Sequence, residues 1–199
     1  VAANARHFSK SEEHFTPEFI VTPSRKVLRG IDLDPASCRE ANYLVKAKKI
    51  YTRKDDGLSK IWNGTVFLNP PGGRLNKAST IEDPGKYGST RSRQALWWLK
   101  LMIEWERSNV EAGIFIGFSI EILQVSQGLK CSPPTDWPMC VPRDRIPFDK
   151  WDLDEDERVS QDDPSHANVV VLVSTNKSDI ASFKHQFEPV GEVFNTCRC

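Results

Sequence analysis

The chain has 199 residues, and its 27 Lys and Arg balance its 27 Asp and Glu. That length suits one domain with a proper core, while the neutral balance excludes a generally basic molecule, so a nucleic-acid surface would need local clustering of cations. No apolar run approaches the ~18 residues of a membrane span, and residues 1–13 lack the apolar core of a signal peptide, so a soluble, cytoplasmic protein is expected. The 5 cysteines form no disulfide framework, and neither they nor the 4 histidines have the paired spacing of a zinc site, so no metal is expected.

Residues 1–15 are polar and of mixed sign, which reads as a loosely held arm. Thr16 as N-cap and Pro17 at the first helical position predict a helix to about Arg29. Thr22-Pro23 repeats that start signal and is expected to break the helix and restart it. Ile31 and Leu33 then alternate with Asp32 and Asp34 until Pro35 ends the segment. An acidic side chain at a strand tip leading into a helix suits the ribose hydroxyls of a nucleotide, and it suits capping of that helix equally well. Residues 36–49 have helical spacing. The basic cluster Lys46, Lys48, Lys49, Arg53 and Lys54, with Tyr51 among it, reads as a solvated face before a phosphate contact.

Turns at Asp55-Asp56-Gly57-Leu58 and Trp62-Asn63-Gly64 lead into Thr65-Val66-Phe67-Leu68, a β-branched and aromatic run suited to a buried strand. It stops at Asn69-Pro70-Pro71-Gly72-Gly73. Two prolines remove two backbone donors and fix φ twice, so neither ladder nor helix continues through them. The Asn69 side-chain oxygen and the Pro70 carbonyl become two fixed acceptors at a strand end, suited to a planar amino group. An ordinary turn uses the same residue types.

Residues 74–92 are polar and read as a long loop carrying Arg74, Lys77, Lys86, Arg91, Arg93 and the aromatic Tyr87, a composition suited to contacting a nucleic-acid backbone. Residues 94–107 are helical and apolar nearly all round, as in a helix buried against a sheet. Residues 113–119 read as a buried strand and 119–128 as a short helix. The prolines of residues 139–148 demote that stretch to an edge strand. Residues 151–164 are an acidic loop, 166–174 a third buried strand, 178–187 an amphipathic helix and 191–194 a last short strand. Strands separated by helices describe a mostly parallel α/β sheet.

The ordered set Thr16-Pro17, Ile31-Asp32-Leu33-Asp34-Pro35-Ala36-Ser37, Asn42, Asp56-Gly57-Leu58, Trp62 and Asn69-Pro70-Pro71 resembles the bacteriophage-type N6-adenine DNA methyltransferase family over residues 7–175. The resemblance implies a Rossmann-like, S-adenosylmethionine-dependent α/β fold with helices on both faces, acting on double-stranded DNA in a bacterial or phage-infected cytoplasm. By it, residues 16–199 form one domain with DNA-contacting insertions at 74–92 and 129–165. Asn69, Pro70 and Pro71 match the catalytic tetrapeptide. Thr16, Pro17, Asp32, Asp34, Pro35, Ala36, Ser37 and Asp56 fall where the cofactor site is expected. Gly72 stands where the family has an aromatic residue that stacks on the target base, and no Gly-x-Gly loop precedes the acidic strand. A flipped base then needs another ring, with Tyr87, Trp98 and Phe118 as candidates, and Arg74, Arg91 and Arg93 as phosphate contacts. Cytosine N4 presents the same amino geometry, and a binding-only domain is the non-catalytic alternative.

Overall fold

The structure is a computed structural model that describes residues 15–152, 157–159 and 166–195. In chain order the elements are α1 (Glu18–Leu28), β1 (Leu33–Asp34), α2 (Arg39–Val45), β2 (Lys49–Ile50), β3 (Gly64–Leu68), β4 (Arg74–Ser79), α3 (Pro84–Tyr87), β5 (Thr90–Ser92) and α4 (Arg93–Glu106). They continue with β6 (Val110–Gly117), α5 (Ile122–Val125), β7 (Met139–Pro142), β8 (Lys150–Asp152), β9 (Glu157–Val159), β10 (Val169–Val173), α6 (Lys177–Phe187) and β11 (Gly191–Phe194).

Seven strands make one mixed sheet in the order β11-β7-β10-β6-β3-β1-β2. The pairs β2–β1, β1–β3 and β3–β6 are parallel, whereas β10 runs against both β6 and β7, and β11 against β7. Five strands therefore share one direction and only β10 and β11 oppose it. Strand alternation divides the core between the two faces. Val66, Leu68, Phe115, Val169, Val171 and Val173 pack under α4. Phe67, Ile114, Ile116, Val170 and Leu172 face α1 and α6 through Ile20, Val27, Phe183 and Phe187.

The α4 helix is apolar nearly all round because both sides are covered. One side meets the sheet, and on the other Trp105 packs edge-on against Trp137 at 5.5 Å. Its two buried charges, Lys100 and Glu104, pair with each other one turn apart, and Glu104 also accepts from Asn109 Nδ2 at 2.7 Å. Such a pair is tolerated in a core because neither charge is left alone.

Four expectations need correction. Pro17, not Thr16, is the N-cap of α1, with no side-chain capping bond, and the helix runs unbroken through Pro23. Pro23 lies only six residues past that cap, so the single helical bond it removes is the one to the Phe19 carbonyl. Residues 74–92 are not an irregular loop, since β4 and β5 pair as an antiparallel ribbon with α3 between them. Residues 139–142 are an interior strand, not an edge, because Pro138 precedes and Pro142 closes the four-residue β7, leaving Met139 and Cys140 to pair with both β10 and β11. Within the expected acidic loop, β8 and β9 form a hairpin; residues 153–156 and 160–165, and the expected arm at 1–14, lie outside the described residues.

No helix among the described residues is long and apolar enough to cross a membrane.

Candidate functional site

From β1 the chain turns to β2 on one side and to β3 on the other, so the strand order reverses between β1 and β3. Open α/β sheets take ligands in the crevice outside the carboxyl ends of the strands at such a reversal. The parallel register Leu33↔Val66 brings the ends of these strands to one edge, Asp34-Pro35 from β1 and Leu68-Asn69 from β3.

Asp34 is buried at 3% exposure. Its Oδ1 accepts from Ala36 N at 3.2 Å. Burial dominates over that bond and the one from Ser37, and it pushes the carboxyl pKa up to about 7. Asp32 differs although it lies two residues away. Its carboxylate accepts from Lys48 Nζ at 2.7 Å, from Thr65 N at 2.9 Å and from Thr65 Oγ1 at 3.0 Å. The Lys48 bond, then the Thr65 amide, hold its pKa below the usual carboxylate range. Asp32 thus ties β1 to β2 and β3 one step before the edge, while Asp34 stands at the edge.

Asp56 is exposed with φ 53° and heads a short 3-10 turn over Gly57–Ser59. That turn is clamped to the end of β1. A Cβ at Gly57 would lie 2.0 Å from the Pro35 carbonyl oxygen, and the Gly57 carbonyl accepts from Trp62 Nε1 at 2.8 Å. Trp62 in turn stacks on Trp97 of α4, with centroids 5.9 Å apart. The separate motifs Asp34-Pro35, Asp56-Gly57 and Trp62 therefore form one knot beside the crevice. Gly57→Ala is expected to cost about 3 kcal/mol of stability by overpacking, read from urea melts, because backbone rather than a pliable side chain occupies the space.

At the end of β3, Asn69 is half-buried, Pro70 buried and Pro71 exposed. A Cβ on Gly72 would come within 3.3 Å of Phe118 Cδ1. Phe118 follows β6 and is half-buried, with Phe148 at 5.7 Å and His166 at 4.9 Å between ring centroids. Asn168 fixes this corner from below, donating to the Phe118 carbonyl at 2.6 Å and accepting from Ile146 N at 2.7 Å. The start of α1 reaches the same corner, since Phe15 and Asp149 exchange backbone bonds of 2.8 and 3.0 Å next to Phe148. Thr16 and Pro17, both buried, follow Phe15 directly.

The other two aromatic candidates are not at this edge. Tyr87 is 3% exposed and packs in the core under α4, its ring covered by Lys86 Nζ at 4.6 Å. Trp98 is fully buried, donates to the Ser132 carbonyl at 2.9 Å and meets Phe115 edge-on at 5.2 Å. Both rings are used by the fold and neither has a face open to a base. Phe148, His166 and Asn168 were missed by sequence reasoning. A lone Asn ahead of the Val169–Val173 run was the only signal, and it does not tell where the side chain anchors.

The β4–β5 ribbon springs from this site. Arg93 N bonds the Gly73 carbonyl at 3.1 Å, closing the base of the ribbon on the 69–73 loop. Arg74, Lys77, Arg91 and Arg93 are all exposed, and none has an acidic partner among the described residues. The nearby acids are engaged, Glu82 with Arg107 and Asp83 with Gly85 N at 2.7 Å. Among the described residues no group of His, Cys, Asp and Glu is placed to hold a metal ion.

Comparison of the chain with protein-family models, with curated proteins and with solved structures finds no match.

Proposed function

We propose that this chain is a Rossmann-like, S-adenosylmethionine-dependent DNA methyltransferase of the bacteriophage N6-adenine type. The observation that carries the reading is the shared edge of β1 and β3 at the strand-order reversal, where the buried Asp34 ends β1 and Asn69-Pro70-Pro71 follow the adjacent β3. The donor set fits the cofactor by chemistry. S-adenosylmethionine is a cation with an ammonium group and ribose hydroxyls, and the segments at the end of β1 and before Gly57 offer the acceptors Asp34 and Asp56 and the Ser37 hydroxyl. When bound it supplies an electrophilic methyl group.

The residues of this chain do the rest. An exocyclic amine conjugated to a purine ring is a poor nucleophile because its lone pair is delocalised. The Asn69 Oδ1 and the Pro70 carbonyl each accept one of its N–H bonds, which draws the nitrogen toward tetrahedral geometry and frees the lone pair. Neither acceptor is a base or a nucleophile, so the contribution is positioning and electrostatic preorganisation. Among the described cysteines a thiol mechanism at a ring carbon finds no support, because burial pushes the Cys131 and Cys140 thiols up to about 12 and Cys38 Sγ accepts from Ala41 N as the cap of α2.

A base reaches these acceptors only when flipped from the duplex. The ring set to receive it is Phe118, beside Gly72 and backed by Phe148 and His166. Arg74, Arg91 and Arg93 on the ribbon would meet phosphates next to the flipped nucleotide. Stacking on an aromatic side chain contributes about 1–3 kcal/mol per base. Phe118→Ala is therefore expected to lower kcat/KM for DNA about ten- to a hundredfold, while Phe118→Trp retains most activity in the same steady-state assay.

The reading is tested by incubating the protein with methyl-labelled S-adenosylmethionine and mixed-sequence duplex DNA, then digesting to nucleosides. Labelled N6-methyladenine is the expected product. N4-methylcytosine would move the target to cytosine, and no label from protein that binds the cofactor would overturn the enzymatic reading in favour of a binding domain.

A further inference from the structure

A cleft of about 600 Å³ opens where one stripe of α1, the segment from the end of β7 and the turn from α6 into β11 meet. Its residues include none of Asp34, Asp56 or Asn69, so it is separate from the crevice between β1 and β3. The segment after β7 lies between the two, with Phe148 against Phe118 at one end and Pro142 and Pro147 in the cleft wall.

Three features define what it would take. First, Phe19, Pro23 and Lys26 recur at i, i+4 and i+7, so one stripe of α1 faces the cleft. The Phe19 ring is 47% exposed, and with the rings of Pro23, Pro142 and Pro147 it offers flat apolar surface. Second, the polar lining is mainly cationic. Lys26 and Arg143, the cations that the site uses, line it with the carboxylate of Asp144. Lys26 lies about 10 Å along the α1 axis from Phe19, a distance a nucleotide spans from base to phosphate. Third, Pro142, Pro147 and Pro189 stiffen the backbone that lines the cleft. The Arg143 N to Val190 O bond of 3.0 Å joins two of the walls, so the cleft is framed by backbone contacts rather than by pliable side chains.

We propose that this cleft binds a nucleotide unit, its base against Phe19 and the proline rings and its phosphate between Lys26 and Arg143. The volume fits a small-molecule site, and a flat face joined to an anion is the chemistry that the aromatic, proline and cationic lining complements. The same unit could arrive as a free nucleotide or as one nucleotide of a strand.

Isothermal titration of the full chain with 2′-deoxycytidine 5′-monophosphate tests this, a probe chosen because it lacks the adenine ring of the cofactor proposed for the crevice. One binding site is expected, with deoxycytidine and inorganic phosphate each at least about tenfold weaker. Phe19→Ala and Arg143→Ala, both at exposed side chains, are expected to weaken binding at least about fivefold, whereas Asn69→Ala and Asp34→Asn leave it within about twofold. A cytidine tetranucleotide that binds at least about tenfold tighter with the same sensitivity assigns the cleft to a strand, and equal affinity assigns it to free nucleotide. Absence of binding, or binding indifferent to Phe19 and Arg143, overturns the proposal. Because the Phe19 and Arg143 variants lie outside the crevice and the Asn69 and Asp34 variants report on it separately, this outcome is independent of whether methyl transfer is observed.

Discussion

Asn69→Ala is expected to lower methyl transfer about a thousandfold or more while leaving S-adenosylmethionine affinity within about twofold. The asymmetry follows from what the side chain does. In the proposed reaction its oxygen accepts an N–H of the target amine, a bond that would strengthen as the nitrogen leaves the plane of its ring. An interaction made mainly in the transition state appears in kcat rather than in binding. The substitution removes few packing contacts because Asn69 is only half-buried and lies past the end of β3. The second acceptor, the Pro70 carbonyl, belongs to the backbone and survives every side-chain change, so some residual transfer is expected above background. Asn69→Asp is the informative companion. It keeps an acceptor at the same reach but introduces a charge at the strand edge, and is expected to retain more transfer than the alanine variant while titrating with pH. Single-turnover transfer to DNA carrying a mismatched target, already easy to flip, separates this effect from base extrusion. Undiminished transfer by the alanine variant would sink the assignment of Asn69 as an amine acceptor.

The features legible in the sequence are those whose signal is local. Val66, Phe67 and Leu68, and Val169 to Val173, announce buried strands by apolar continuity, and their alternation between two helical layers follows from strand geometry alone. The abrupt stop at Asn69-Pro70-Pro71 is equally local, since proline chemistry ends a strand whatever surrounds it. Partnership across the chain was not legible. Tyr87 and Trp98 have the same amphipathic character whether they stack on a ligand or fill a core, and only the sheet beneath α4 decides between the two. The ribbon of β4 and β5 was hidden because its exposed residues have no apolar alternation to report. Interior β7 was hidden because the prolines at 142 and 147 look disruptive until it is seen that one closes the ladder and the other lies beyond it. Gly57 reads as a plain turn residue in sequence, yet its lack of a side chain is what allows Pro35 and Trp62 to close on it. The site is thus partly written in motifs, and the distances between motifs are written in the fold.

Replacing Asp34 by Asn is expected to move stability and ligand affinity in opposite directions. The carboxyl titrates at about 7 in the folded chain against 3.8 for an ordinary aspartate, because burial disfavours its charged form. Between these values the folded state holds a proton that the unfolded state has lost. Stability therefore falls as pH rises from about 4 to about 7, and the loss is complete above that window. Asn carries no charge to bury, so the variant is expected to be about 4 kcal/mol more stable than the parent at pH 8 and equal to it near pH 4, as read from urea melts at the two values. Binding runs the other way. A cationic, hydroxyl-bearing ligand at the crevice gains from the ionised acceptor, so parent affinity for S-adenosylmethionine is expected to rise about tenfold between pH 6 and pH 8. The variant should bind weakly and without that pH dependence. A carboxylate kept where it costs stability is the pattern of a functional site held against the preference of the fold. Matching pH profiles for the parent and the Asn variant would remove Asp34 from the binding set and leave it as a buried cap of the turn at Ala36.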